Sequence, residues 1–174
     1  LPWLVTGFMH LDGYMDVCDA VLSRRELATR QRILKDSHCG AFAVIGMVLL
    51  ALCQWSVFLS GSADESLWGL LLIPVATRAC AGLAVLKLRP MGTSQYAAMG
   101  RHGGYAAALA VLLVVATVVP LVIDRSFAPL AAAAGYGLAV WYGFRQLDGM
   151  NGDISGFALT LGELAGAAVW TLVR

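Results

Sequence analysis

Three aspartates lie within eight positions near the start of the chain, in the segment His10-Leu11-Asp12-Gly13-Tyr14-Met15-Asp16-Val17-Cys18-Asp19. Asp12, Asp16 and Asp19 have the spacing i, i+4, i+7, which on a helix places them within an arc of about 60°. Like charges one turn apart repel each other, so this aspartate stripe favours a bound cation, and Mg²⁺ prefers carboxylate oxygens. We therefore predict a metal site here, with a solvated helix end as the alternative.

A second acidic cluster precedes the last apolar segment, where Asp148 and Asp153 flank Gly149-Met150-Asn151-Gly152. Asp-Gly and Asn-Gly pairs are strong turn signals, so a turn without further function is one interpretation. The other is that Asp153 begins the last helix, where the helix dipole favours an acid, and reaches a metal held by the aspartate stripe. Asn151 could then orient a phosphate or a ligating carboxylate.

Nitrogen-bearing side chains accompany these acids. Lys35-Asp36-Ser37 closes a basic segment and by itself indicates the flank of a membrane helix. Beside a metal site on the same face, however, its lysine and serine suit phosphate oxygens. For Arg89 two interpretations are equally open: a basic residue that fixes the membrane topology, or a contact to the substrate phosphate. On a continuous helix His10 points about 160° away from Asp12. It could therefore be a packed, hydrogen-bonded histidine or a residue that binds a ligand of the site.

The elements that must position these residues are apolar helices. The chain is 59% hydrophobic and 13% charged, with a mean hydropathy of +0.75. This composition predicts an all-α, polytopic transmembrane bundle, and the net charge of +1 gives no electrostatic support for nucleic-acid binding. We predict a short amphipathic helix at the membrane surface over 23–38 and about six membrane segments, the first being the end of a helix that runs into the aspartate stripe: 1–22, 40–61, 66–86, 103–123, 127–144 and 154–173.

The charges of the loops indicate the topology. Five basic residues lie in 24–35, none in 61–66 and three in 87–101. By the positive-inside rule the first and third of these loops are cytoplasmic, and alternation places the turn at 145–153 in the cytoplasm too. The aspartate stripe directly precedes the first basic loop. Every polar cluster that could take part in catalysis or binding is therefore predicted to lie on the cytoplasmic face.

Arg78 and Glu163 are the charges that lie deep in their predicted segments. Each lies about 12–14 Å below the cytoplasmic surface at the helical rise of about 1.5 Å per residue. Matching depth and opposite charge predict a buried ion pair, or a shared polar cavity that reaches the site.

Three blocks of the sequence resemble the cobalamin synthase family, the adenosylcobinamide-GDP ribazoletransferases. They keep the family's order and cover nearly the whole chain: His10-Leu11-Asp12-Gly13 with Asp16 and Asp19, Lys35-Asp36-Ser37 through Gly40-Ala41-Phe42, and Asn151-Gly152-Asp153 with Gly156. Two departures are evident. His38-Cys39 stands where the family usually has a basic-apolar pair, and the chain opens on Leu1 rather than on the N-terminal spans expected of a full-length member.

The resemblance implies a single integral-membrane transferase domain over 1–174 that lacks the N-terminal helices of the full-length protein. It implies a multi-pass protein of the cell inner membrane, with the active site facing the cytoplasm. The implied reaction of cobalamin biosynthesis is Mg²⁺-dependent: α-ribazole, or its 5′-phosphate, is joined to adenosylcobinamide-GDP with release of GMP. These two substrates and the lipid bilayer are the expected partners, and a homo-oligomeric state is left open.

The chemistry of that reaction assigns roles to the residues. Attack on a pyrophosphate requires neutralisation of charge on the phosphoryl oxygens, and one carboxylate can accept the proton of the attacking hydroxyl. We assign the metal to Asp12, Asp16 and Asp153. Asp19 and Asp153 are the predicted catalytic residues, with Asp19 as base or additional ligand. The predicted substrate-binding residues are His10, Lys35, Asp36, Ser37, Arg78, Arg89 and Asn151.

Two other classes of protein compete with this interpretation. A cation transporter or channel would line its ion path with membrane acids, through the membrane depth or on both faces. Here only Glu163 lies deep, and the other acids of interest gather on one side, which favours an enzyme. A purely structural membrane subunit would leave the aspartate stripe unexplained.

Overall fold

The computed structural model describes residues 2–61, 67–92 and 103–172, and within these ranges the chain is helical. This confirms the prediction of an all-α fold. The loops counted at 61–66 and 87–101 fall largely outside the described residues. The helices are α1 (Pro2–Val5), α2 (Met9–Leu22), α3 (Leu27–Ile33), α4 (Ala41–Leu59), α5 (Leu67–Lys87), α6 (Gly103–Asp124), α7 (Ala128–Leu147) and α8 (Gly152–Leu172).

Four helices of the described ranges, α4, α5, α6 and α8, are long and apolar enough to cross a membrane. Large apolar side chains on two of them point outward, such as Trp55 of α4 and Val122 of α6, which are 67% and 74% exposed. Such a surface suits lipid rather than water. α2 and α7 do not belong to this group of four, so the count of about six membrane segments stays a prediction.

α2, α7 and α8 form the centre of the bundle. Val17 of α2, Leu147 of α7 and Ile154 of α8 are fully buried. α7 and α8 approach closely because small residues face each other: a Cβ atom added at Gly166 would lie 2.8 Å from the Cβ atom of Ala132. α6, in contrast, packs almost entirely against α5. The polar residues of α2 are thus held against the best-packed part of the protein.

The first predicted segment, 1–22, is not a continuous helix, and that expectation is corrected. Gly7 and Phe8 adopt left-handed backbone conformations, with φ of 59° and 61°, between α1 and α2. The chain therefore turns, and a new helix begins at Met9 with Phe8 as its N-cap. Because of this break, Asp12 lies in the first turn of α2, where the helix dipole favours a negative charge.

The basic segment predicted as an amphipathic helix over 23–38 contains a shorter helix, α3. Arg24 has a φ of 53° and turns the chain out of α2. α3 is anchored on the C-terminal end of α7: Arg30 donates a hydrogen bond to the side chain of Gln146, and Gln31 donates one of 2.8 Å to the carbonyl of Leu147. The amphipathic, surface-lying character of this helix stays a prediction.

The predicted pair of Arg78 and Glu163 is confirmed. The guanidinium of Arg78 on α5 contacts the carboxylate of Glu163 on α8, and the two side chains are 37% and 13% exposed. Arg78 also donates to the carbonyl of Pro74 and to the hydroxyl of Thr77, at 3.3 Å each. The pair therefore links two of the candidate membrane helices.

We expect Arg78→Gln to destabilise the protein by about 1–3 kcal/mol, because it leaves the largely buried carboxylate of Glu163 without its partner, and Glu163→Gln to cost less, because Arg78 is 37% exposed. The double variant should lose less than the sum of the two single losses. Thermal unfolding of the four proteins in one detergent measures this coupling. Strictly additive losses would contradict a direct interaction.

Candidate active site

The aspartate stripe meets the start of α8 at a crossing of two backbones. A Cβ atom added at Gly13 would lie 2.8 Å from the Cα atom of Asp153 and 2.9 Å from its carbonyl oxygen. One added at Gly156 would lie 3.0 Å from the carbonyl oxygen of His10. The two glycines therefore let α2 and α8 touch, and this contact brings Asp153 beside the stripe.

The carboxylate of Asp153 is oriented by Asn151. The side-chain amide of Asn151 donates to Oδ2 of Asp153 at 2.7 Å, while its Oδ1 accepts a hydrogen bond of 2.9 Å from the backbone N–H of Ile154. Asn151 thus satisfies a free N–H at the start of α8 and fixes the neighbouring acid at the same time. The predicted position of Asp153 at the start of the last helix is confirmed. Asn151 orients the carboxylate of Asp153, while the role of that carboxylate as a metal ligand stays a prediction.

We expect Asn151→Ala to lower the free energy of unfolding by about 1 kcal/mol, because the N–H of Ile154 loses its acceptor. Asn151→Asp keeps that acceptor but sets a second negative charge beside Asp153, so it should be destabilised less at low pH than at neutral pH. Denaturation of both variants at two pH values measures the difference. Equal stability of Asn151→Ala and wild type would contradict the capping role.

The loop before Asn151 is held by the end of α5. The N–H of Met91 donates to the carbonyl of Met150 at 2.8 Å, and the N–H of Met150 donates to the carbonyl of Arg89 at 2.9 Å. The guanidinium of Arg89 donates to the backbone carbonyl of Asp148 at 3.0 Å and also pairs with its carboxylate. Gly149 lies against the backbone of Met91, with no space for a Cβ atom. In the structure Arg89 therefore secures the loop.

A cavity of about 240 Å³ lies between α2 and the loop that joins α3 to α4. We call it the acidic cavity. The aspartate stripe forms one side, and the loop from Asp36 to Gly40 forms the other. Ser37 and His38 contribute further polar groups to the lining. Asp153 lies beside the stripe but does not line this cavity.

Asp19 occupies a special place in the acidic cavity. A Cβ atom added at Gly40 would overlap both carboxylate oxygens of Asp19, and Gly40 is the N-cap of α4. The absence of a side chain at position 40 is therefore what makes room for this carboxylate, at the positive end of the helix dipole. A glycine directly before an apolar helix is a sequence signal for a helix start at Gly40. The close approach of the Asp19 carboxylate to this glycine was not predicted.

The carboxylates of the site influence one another. The pKa of Asp16, which lies outside the four candidate membrane helices, is raised to about 6. Burial is the main cause, and the charges of Asp12 and Asp153 add to it. Neighbouring negative charges disfavour ionisation, whereas a bound cation reverses that effect.

The site offers carboxylate oxygens, the ligand type that Mg²⁺ prefers, but these do not form a closed cage. Within the described ranges no group of three or more His, Cys, Asp or Glu side chains is arranged to hold a metal ion. Mg²⁺ is typically held by one or two carboxylates together with waters and substrate phosphates. The assignment of the metal to Asp12, Asp16 and Asp153 therefore stays a prediction.

The other predicted residues lie farther from the cavity. Lys35 is exposed and does not line it. His10 faces α8, where its carbonyl accepts a hydrogen bond of 3.4 Å from Thr160, and it lies within range of the charges of Arg78 and Glu163. The structure thus brings Asp36 and Ser37 to the stripe, but not Lys35, His10 or Arg78. It also brings His38, which the sequence singled out only as a departure from the family.

The fold and the site define a helical membrane protein with an acidic cavity beside its α2–α8 crossing. A family model described as Cobalamin-5-phosphate synthase matches residues 1–171. The chain belongs to this family, which confirms the resemblance in its sequence and its classification as an enzyme, a transferase.

Curated relatives agree with this assignment, and each is described as an adenosylcobinamide-GDP ribazoletransferase. One from Clostridium perfringens (strain 13 / Type A) is 36% identical over 95% of this chain and 69% of the relative. One from Thiobacillus denitrificans is 34% identical over 94% of this chain and 70% of the relative. One from Clostridium botulinum (strain Alaska E43 / Type E3) is 30% identical over 95% and 69%. No solved structure matches the chain.

Proposed function

We propose that this chain joins α-ribazole, or its 5′-phosphate, to adenosylcobinamide-GDP and releases GMP. The observation that carries the proposal is the aspartate stripe lining a cavity next to Asp153, in a member of this family. The names of the relatives supply the substrates. In the structure these acids lie around one cavity, and a shared metal and phosphate site would explain why they occur together in a mainly apolar chain.

The reaction is a transfer at phosphorus. A ribazole hydroxyl oxygen attacks the phosphorus that carries the cobinamide, and the pyrophosphate bond to GMP breaks. Asp12, Asp16 and Asp153 would hold Mg²⁺, which when bound neutralises charge on the phosphoryl oxygens. Asp153 serves both as a ligand and as a catalytic residue, and its fixed orientation on Asn151 supports this role. Asp19 is an additional ligand or the base.

The substrate contacts follow from position. Ser37 lines the cavity and can donate to a phosphate oxygen, and Lys35 is two residues away. Arg89, on the neighbouring loop, would add positive charge to the substrate only by giving up its pair with Asp148. Asn151 acts through Asp153. His10 and Arg78, the two further predicted contacts, lie deeper in the bundle at the junction of α2, α5 and α8. We propose that they contact parts of the substrate remote from phosphorus.

The membrane arrangement is also part of the proposal. We propose one integral domain with about six membrane segments, an amphipathic helix on the cytoplasmic surface and the cavity open to the cytoplasm of the cell inner membrane. The basic segment that ends at Lys35 supports this orientation, because it leads directly into residues 36–40, which line the cavity. Labelling of a cysteine introduced at Ser37 by a membrane-impermeant reagent, in inverted against right-side-out vesicles, tests it.

GMP release is the direct test of the proposed function. The purified chain in nanodiscs is incubated with adenosylcobinamide-GDP, α-ribazole and Mg²⁺, and GMP is quantified by chromatography. We expect GMP and the joined cobalamin product in equal amounts, and a loss of both on chelation by EDTA. Absence of GMP together with cation flux through the protein in liposomes would favour a transporter instead.

A further inference from the structure

A basic patch lies on the surface of the protein beside the acidic cavity. It consists of four exposed side chains on α3 and the residues that flank it: Arg24, Arg25, Arg32 and Lys35. Glu26 is the one acid between positions 24 and 35. Among the residues that the structure describes, none of the four basic side chains makes an ion pair. Their positive charges are therefore not neutralised by direct contact with a protein carboxylate.

The basic patch has a fixed position relative to the cavity, because α3 is anchored on the end of α7. Ile33 lines the cavity and directly follows Arg32, and Asp36 lines it and directly follows Lys35. The field of Arg32 reaches this edge of the cavity. The pKa of Asp36 is held below its usual range mainly by the hydrogen bonds from His38, and the charge of Arg32 adds to that effect. One end of the patch therefore adjoins the cavity.

The acidic cavity and the substrate of the proposed reaction are both negatively charged. Asp12, Asp16, Asp19 and Asp36 line the cavity, and of the described residues that line it His38 is the one that can carry a positive charge. The substrate, adenosylcobinamide-GDP, contains a pyrophosphate bridge. These carboxylates are more than one divalent cation can neutralise, so they oppose the approach of the pyrophosphate. Positive charge beside the cavity reduces this repulsion.

We propose that the basic patch attracts the pyrophosphate of adenosylcobinamide-GDP and so promotes its binding in the acidic cavity. The inference rests on the proposed function and adds a surface for the first encounter with the substrate. Arg24, Arg25 and Arg32 act on binding and not on the chemical step, because they do not line the cavity. Attraction by exposed charges is screened by salt, since the Debye length falls from about 10 Å at 0.1 M to about 3 Å at 1 M.

The test compares the wild type with the triple variant Arg24→Gln/Arg25→Gln/Arg32→Gln in the GMP-release assay. Nanodiscs of zwitterionic lipid are used, because they leave both faces of the protein accessible. We expect the KM for adenosylcobinamide-GDP to rise by about 3–10-fold at low ionic strength, with kcat unchanged. At high salt the two proteins should have nearly equal KM values. The KM for α-ribazole, which is uncharged, should not change, whereas the KM for its 5′-phosphate should rise.

Three single variants act as controls for the triple variant. Arg32→Gln, at the position next to the cavity lining, should give a smaller rise in KM of the same salt dependence. Glu26→Gln should lower the KM, because it removes the acid within the patch, and its side chain makes no capping hydrogen bond that would be lost. Arg125→Gln should have no effect, because this exposed residue precedes α7, about 30 Å from the end of α7 that holds α3.

Several results would overturn the role of the basic patch while leaving the proposed function intact. One is a wild-type KM for adenosylcobinamide-GDP in the triple variant at low ionic strength. Another is an equal rise in the KM for uncharged α-ribazole, which would indicate a distorted cavity. A loss of folded protein that nanodiscs containing phosphatidylglycerol reverse would assign the patch to lipid headgroups. Absence of GMP release from the wild-type protein would instead remove the proposed function itself.

Discussion

Replacing Asp16 by Asn should lower the rate of GMP release by about 10³-fold or more. Asp16 is half-buried and feels the negative charges of Asp12 and Asp153, and a neutral amide there would remove one negative oxygen from the proposed Mg²⁺ site, which has few protein ligands. The remaining rate should require a higher Mg²⁺ concentration for half-saturation. A titration of initial rate against Mg²⁺, for wild type and variant, measures both effects.

The matched control for Asp16→Asn is Glu26→Gln. Glu26 is an exposed acid at the N-cap of α3, and it does not line the acidic cavity. It should keep the wild-type rate and the wild-type Mg²⁺ dependence. If Asp16→Asn kept an unchanged Mg²⁺ dependence, Asp16 would not be a metal ligand.

Replacing Gly13 by Ala should impair both stability and activity. The added methyl group would meet the backbone of Asp153, which cannot rotate away as a side chain can. α2 and α8 must then separate, which costs about 1–3 kcal/mol of stability. The separation also moves Asp153 away from Asp12, so GMP release should fall more than the loss of folded protein explains. Unfolding in detergent and the rate per folded molecule measure the two effects.

Gly137 provides the comparison for Gly13. It is also a helical glycine, on α7, but a Cβ atom added there would meet nothing within 4 Å. Gly137→Ala should be neutral or slightly stabilising, because alanine favours the helix by up to about 1 kcal/mol. Equal behaviour of the two alanine variants would show that the α2–α8 contact does not control the site.

The sequence predicted the features that depend on composition and spacing along one helix. Long apolar runs located α4, α5, α6 and α8 within a few residues, because such runs are stable only as helices in lipid. The depth and opposite charge of Arg78 and Glu163 predicted their contact for the same reason: each charge needs a partner there. The placement of Asp153 near the stripe followed from loop charges and turn signals.

Features that depend on backbone conformation or on distant contacts were not predictable. The break between α1 and α2 requires a left-handed Phe8, which no propensity for that residue favours. The engagement of Arg89 with Asp148 joins residues 59 positions apart through two irregular loops. The contact of Asp36 with His38 depends on the turn between α3 and α4. Side chains two positions apart meet only when the backbone between them turns.

The contact between α2 and α8 also has a consequence for biosynthesis. It joins residues as far as 150 positions apart, such as His10 and Thr160, and α8 leaves the ribosome after α2 and all the helices between them. During translation the aspartate stripe is therefore synthesised well before α8, the helix that carries its partner Asp153. A nascent chain arrested before α8 would carry all three aspartates of the stripe but no Asp153. Catalytic competence should therefore arise only after α8 has been synthesised and has packed against α2.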